Sequence, residues 1–288
     1  MIDILLTVLA FNVLIIVIKL YHKFGIDNLQ ALIVNYFVAG MCSLWVSNEQ
    51  FSVINVVQSN WIFHALTIGL LFIISFYFYA KGTQKVGIAI STMANKLSLL
   101  IPVGIAIVIY SDESMNLVKA IGFLLALIGI YLSTTKKKKL GFNKKYLWLV
   151  LFIFLGQGLA DTVLNNAQKT AVNNDNKGLF FMSLFFVAGS IGIIILLLRS
   201  IKQAPEFKLK NLIGGIALGI PNFMALMFIF SSLENSGFSA SQVFPMMSMG
   251  IIVVSAITGR LLFKEKLTLF NWVGLGFAIL SIYVLTFF

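Results

Sequence analysis

The chain has 288 residues, of which 59% are hydrophobic and 11% charged, against about 45–50% and about 25% in water-soluble domains. A globule in water could not hide that much apolar surface, so the composition excludes a soluble fold and points to a chain that crosses the membrane several times. The net charge of +11 sits in short loops between apolar runs, where it reads as a topology signal and not as a nucleic-acid surface.

At about 20 apolar residues per crossing, the hydrophobic pattern predicts ten helices, near 3–20, 29–47, 61–80, 86–110, 117–135, 146–167, 178–198, 210–231, 238–262 and 268–287. The first is expected to be retained: "MIDILLTVLAF" has neither the basic start nor the small-residue cleavage site of a signal peptide. Cys42, the only cysteine, excludes an intrachain disulfide. No polar stretch between the runs is long enough to bury a core of its own.

The second helix contains Asn35 and the motif "YFVAG", Tyr36 to Gly40, which returns in the seventh as "FFVAG", Phe185 to Gly189. The fourth, "GIAISTMANKLSLLI" from Gly87, matches the ninth, "GFSASQVFPMMSMGI" from Gly237, at Gly, two Ser and the final Ile. The fifth, "GFLLALIGIYL" from Gly122, returns in the tenth as "GLGFAILSIYV" from Gly274. Matches in one order at an offset of about 150 residues mark an internal repeat, with halves 1–137 and 138–288. Five helices is an odd number, so the halves must cross in opposite senses. The charges agree. Of the 21 Lys and Arg, only Lys119, Lys169 and Lys177 lie in the loops after even-numbered helices and Lys96 lies within a helix. The equivalent links "SDESMN" and "FKEKLT" have opposite sign, as an inverted repeat requires if basic loops stay inside. Basic loops are therefore expected to be cytoplasmic and both termini extracytoplasmic, in the cell (inner) membrane.

Lys96 lies ten residues into the fourth helix, or about 15 Å, near the middle of a core about 30 Å thick. A lysine there costs at least about 2.5–3.5 kcal/mol, so it should face a wet cavity or a partner. Asn95 beside it and Pro102 beyond it supply an amide and a missing backbone donor. In the sixth helix Gln157, Asp161 and Asn165 recur at i, i+4 and i+8 and form one polar stripe. Asn12, Asn35, Pro221 with Asn222, Gln242, Pro245 and Ser248 add polar or helix-breaking positions on other helices. Each alone is ordinary interhelical glue; together they outline a cavity. Tyr77, with Phe76 and Tyr79, is a candidate pocket aromatic, and His64 a candidate proton relay or interfacial residue.

Two His and one Cys make a poor metal set, and no phosphate loop, HExxH or GxSxG motif is present. No cofactor, metal or enzymatic activity is expected.

The repeat, Pro102 in the fourth helix, and the half-ends "GRLLFKEKLTLFNWVGLGFAILSIYV" and "IYSDESMNLVKAIGFLLALIGIYL" resemble the drug/metabolite transporter superfamily, in its ten-helix EamA-like group. The second half-end is close to that family's pattern. The first keeps Glu113 and Gly122 but lacks the basic partner. The resemblance implies an all-α fold of two inverted five-helix repeats and a secondary carrier working by alternating access. The cavity residues make the expected cargo a small polar metabolite, anionic or zwitterionic, with amino acids or related small acids first. Protons are a candidate coupling ion, and the bilayer is the other partner. Small multidrug members use a first-helix glutamate for cations; here that helix offers only Asn12 and Asp3, which demotes cation efflux. The alternatives are a nucleotide-sugar or other metabolite exchanger and a non-transporting membrane subunit.

Overall fold

The computed structural model describes residues 2–47, 50–85, 88–110, 115–134, 144–201, 206–264 and 267–287. The loop charges at 111–114 and 136–139 that figure in the topology reading lie outside them. The described residues form helices and no strand: α1 (Ile2–Phe24), α2 (Asn28–Trp45), α3 (Val53–Gln58), α4 (Ile62–Lys85), α5 (Ile88–Leu97), α6 (Leu100–Ile109), α7 (Leu117–Thr134), α8 (Leu147–Thr170), α9 (Lys177–Ser200), α10 (Leu209–Asn235), α11 (Ala240–Phe263) and α12 (Leu269–Phe287). Among the described residues, eight helical stretches are long and apolar enough to cross a membrane. This is a helical membrane protein. The apolar part of α7, Leu117–Ser133, is shorter, and α2 is made more polar by Asn28, Gln30 and Asn35.

Two segments differ from the hydropathy reading. The region 51–60, expected to be loop, contains the short α3. The fourth helix is two, with Ser98 and Leu99 between them. Pro102 has no N–H to give the carbonyl of Ser98, and that carbonyl accepts from Ile101 N instead, at 3.0 Å. Leu99 N reaches back only three residues, to Lys96 O at 3.4 Å, and Ser98 Oγ donates to Asn95 O at 2.5 Å. The interruption is thus re-satisfied locally, as backbone at membrane depth must be.

The helices of the two sequence halves interleave. α2 lies against α9 and α10, α4 against α8 and α9, α1 against α10 and α11, and α7 against α12. Small residues set these crossings. Gly40 of α2 leaves room for the Phe186 ring, and Gly189 of α9 leaves room for the Phe37 ring. A methyl at Gly69 would lie 2.6 Å from Leu184 O and 2.9 Å from Val187, and one at Gly219 would lie 2.8 Å from Asn35 O and 2.7 Å from Val38. Gly122 faces Val284 and Leu285, while Gly274 faces Leu132 and Ser133. In lipid, where apolar burial between helices gains little, such close approach is what holds a bundle together. Phe180, Phe181 and Phe185, in the N-terminal half of α9, are fully buried.

Gly40→Ala is therefore expected to cost about 1–3 kcal/mol, the usual price of overpacking a filled site, because the new methyl meets the Phe186 ring. Thermal unfolding in detergent would show it, with Phe186→Ala in the same chain recovering part of the loss. Equal stability of Gly40→Ala and wild type would mean that the crossing is loosely packed.

Candidate functional site

Midway along the bundle a cavity of about 90 Å³ opens between α1, the α5–α6 break, α8, α10 and α11. Its walls differ in chemistry. One is polar: Asn95, Lys96 and Ser98 from the break, Gln157 and Asp161 from α8. The other is largely apolar: Phe11 from α1, Ile229 from α10, and Phe244, Met247 and Ile251 from α11, with Thr7 and Ser248 as its hydroxyls. On α11 those positions run 244, 247, 248 and 251, a single helical face.

The polar wall is wired as a chain. Asn95 Nδ2 donates to Gln157 Oε1 at 3.3 Å, and Gln157 Nε2 donates to Asp161 Oδ1 at 3.0 Å. Gly156 and Gly158 flank Gln157 and let α8 close on its neighbours: a methyl at Gly158 would sit 2.8 Å from Ser98 O, and one at Gly156 would overlap Ser75. Lys96 ends α5, in the last turn, where the carbonyl end of the helix dipole favours a cation. Its Nζ stands 5.6 Å from the centre of the Phe11 ring, a cation–π contact. Among the described residues no carboxylate oxygen comes within 4.0 Å of it. Lys96 and Asp161 thus share the cavity without forming an ion pair. Opposite charges held apart in a small wet space suit a ligand that carries both signs.

Of the residues singled out from sequence, Lys96, Asn95, Gln157, Asp161 and Ser248 line this cavity. The others sit elsewhere. Asn12 is buried with Nδ2 on Val8 O, 2.8 Å, and its Oδ1 unpartnered. Asn35 accepts from Asn222 Nδ2 at 3.1 Å, tying α2 to α10. Gln242 closes the capping box of α11 with Ser239 and donates to Leu285 O of α12. Tyr77 is 45% exposed on the outer face of α4. Asn165, the last residue of the α8 stripe, is buried with Oδ1 unpartnered. Sequence reasoning did not mark Thr7, Phe11, Phe244, Met247 and Ile251; the i, i+4 spacing of Thr7 and Phe11 was the one available signal.

Two groups of contacts lie toward the two ends of these helices. At the α8 C-terminal end, Tyr110 of the α6 terminus accepts from Asn166 Nδ2 at 2.8 Å, and Lys169 Nζ lies 4.1 Å from the centre of the Tyr110 ring. His64 Nε2 meets Asn166 Oδ1 at 2.9 Å and brings α4 into the same cluster. At the opposite end Lys19 Nζ of α1 lies 4.6 Å from the centre of the Phe263 ring, at the terminus of α11.

Comparison with known proteins adds a fold but no activity. No family model matches the chain. It is similar to an uncharacterized protein of Haemophilus influenzae, 27% identical over 276 residues, which cover 94% of this chain and 92% of that one. A crystal structure of another protein superposes with a TM-score of 0.78 at 12% identity, over 99% of this chain and 95% of that one. The whole helical arrangement therefore has an experimental precedent.

Proposed function

We propose that the protein is a secondary carrier of the drug/metabolite transporter type, in which ten spanning helices form two inverted repeats and a small zwitterionic metabolite binds between Lys96 and Asp161. The observation that carries this reading is a two-fold reciprocity of contacts around the cavity. Exchanging residues at an offset of about 150 turns the Gly40–Phe186 contact into Gly189–Phe37, Gly69–Val187 into Gly219–Val38, and Gly122–Leu285 into Gly274–Ser133. The same exchange pairs Thr7 with Gln157, Phe11 with Asp161 and Ser98 with Ser248, all of which line one cavity. A site on the axis between inverted repeats is where such carriers hold their cargo.

The two end closures obey the same relation. Lys19 and Lys169 are counterparts, each set over an aromatic ring near the end of the other half's fourth helix. Opening the Lys169–Tyr110–Asn166 cluster exposes the cavity on one side, and opening Lys19–Phe263 exposes it on the other. An occluded state would have both contact groups closed over the cavity. In this reading the carboxylate of an amino acid or related compound meets Lys96, its amine meets Asp161, and an apolar side chain rests on Phe11, Phe244 and Met247.

The basic loop edges are assigned to the cytoplasm and both termini to the outside. With an impermeant thiol reagent on intact cells, a cysteine placed within 136–145 should stay unlabelled and one at Asn176 should react. The reverse pattern would invert the molecule in the membrane. Purified protein in liposomes should take up a labelled amino acid saturably; a scaffold subunit would not.

A further inference from the structure

We infer that the membrane edge formed by the C-terminal end of α4 and the N-terminal end of α8 is a binding site for the phosphate of an anionic phospholipid. On α4 the residues Tyr77, Lys81 and Lys85 follow at i, i+4 and i+8, so they share one face. The Lys81 ammonium stands between two rings, 5.7 Å from the centre of Tyr77 and 5.4 Å from that of Trp148 on α8. Phe78 stacks on Phe152 at 4.7 Å and meets Trp148 edge-on at 5.7 Å, so the aromatic wall runs continuously from one helix to the other. Tyr77, Trp148 and Phe152 are each 40–46% exposed on stretches apolar enough to cross a membrane, which turns this wall toward lipid.

The charge at the top of the wall is cationic. Lys81 and Lys85 lie one helical turn apart, about 6 Å along the axis, and Lys145 precedes Trp148 by three residues. Among the described residues, ion pairs lie elsewhere: Asp27 with Arg199, and Glu206 with Lys208. Among the described residues no carboxylate is paired with Lys81 or Lys85. A cationic cluster above an interfacial aromatic belt fits a lipid whose phosphate takes the lysines and whose acyl chains lie along the rings. The site does not depend on what the central cavity carries.

The full chain, purified and reconstituted in phosphatidylcholine with and without phosphatidylglycerol, tests this by bound-lipid mass measurement and thermal stability. Wild type is expected to retain phosphatidylglycerol and to melt higher in its presence. Lys81→Gln with Lys85→Gln should weaken that retention by about fivefold per lysine while leaving the fold intact. A charge-matched control, Lys23→Gln with Lys208→Gln, should retain the lipid. Equal loss in the control would reduce the effect to diffuse surface charge and overturn the site, as would the same stabilisation by inorganic phosphate alone. Lys85→Gln by itself keeps the test decisive if the double variant is poorly folded, since that lysine is exposed and has no ion pair among the described residues.

Discussion

Replacement of Lys96 by Met is expected to abolish transport while leaving a folded, membrane-inserted protein. The Lys96 side chain makes no hydrogen bond or ion pair among the described residues and stands over the Phe11 ring, so the variant removes a charge without breaking a direct polar contact. Asp161 keeps its bond from Gln157. Losing a charge-assisted contact to the substrate costs about 1.5–3 kcal/mol, or roughly ten- to one-hundred-fold in apparent affinity. Uptake into liposomes, set beside the thermal stability of the same preparation, separates the two effects. If Lys96 were instead structurally paired with Asp161, the single variant would be unstable, and Lys96→Met with Asp161→Asn would recover both stability and transport. Full transport by Lys96→Met would show that the lysine contacts no cargo.

Crosslinking either end of the bundle should arrest the carrier. In a Cys42→Ser background, cysteines replacing Lys19 and Phe263, or Lys169 and Tyr110, would be bridged by a short thiol-reactive linker. Each bridge holds one closure shut, and a site that must open alternately to both sides then cannot complete its cycle. Near-complete loss of uptake is expected with either pair bridged, and substantial activity with the same cysteines unbridged. Undiminished turnover with one pair crosslinked would show that this contact does not separate during transport, and the symmetric gating described above would fail.

The helices were legible in the sequence because hydropathy at membrane depth leaves few options: backbone groups must be satisfied within each segment. The break at Ser98 and Leu99 was foreshadowed by Pro102, whose missing donor leaves the Ser98 carbonyl to find another partner. The site was legible only on its polar side. Lys96, Gln157 and Asp161 stand out against apolar neighbours because a polar group there must have a reason. Phe11, Phe244, Met247 and Ile251 do not, since in a chain with 27 Phe and 10 Met a cavity-facing apolar residue looks like a lipid-facing one. Polarity also fails to separate cavity from glue. Asn35 and Asn222 face each other, and Gln242 serves the start of α11, roles that only the tertiary contacts reveal.

The most direct measurement is uptake of labelled zwitterionic amino acids by the purified protein in liposomes, run with wild type, Lys96→Met and Asp161→Asn. A carrier with its site between these two residues predicts saturable uptake by wild type, slowed for analogues lacking either the carboxylate or the amine, and lost in both variants. Saturable uptake that ignores both charges, or none at all by folded wild-type protein across such a panel, would contradict it.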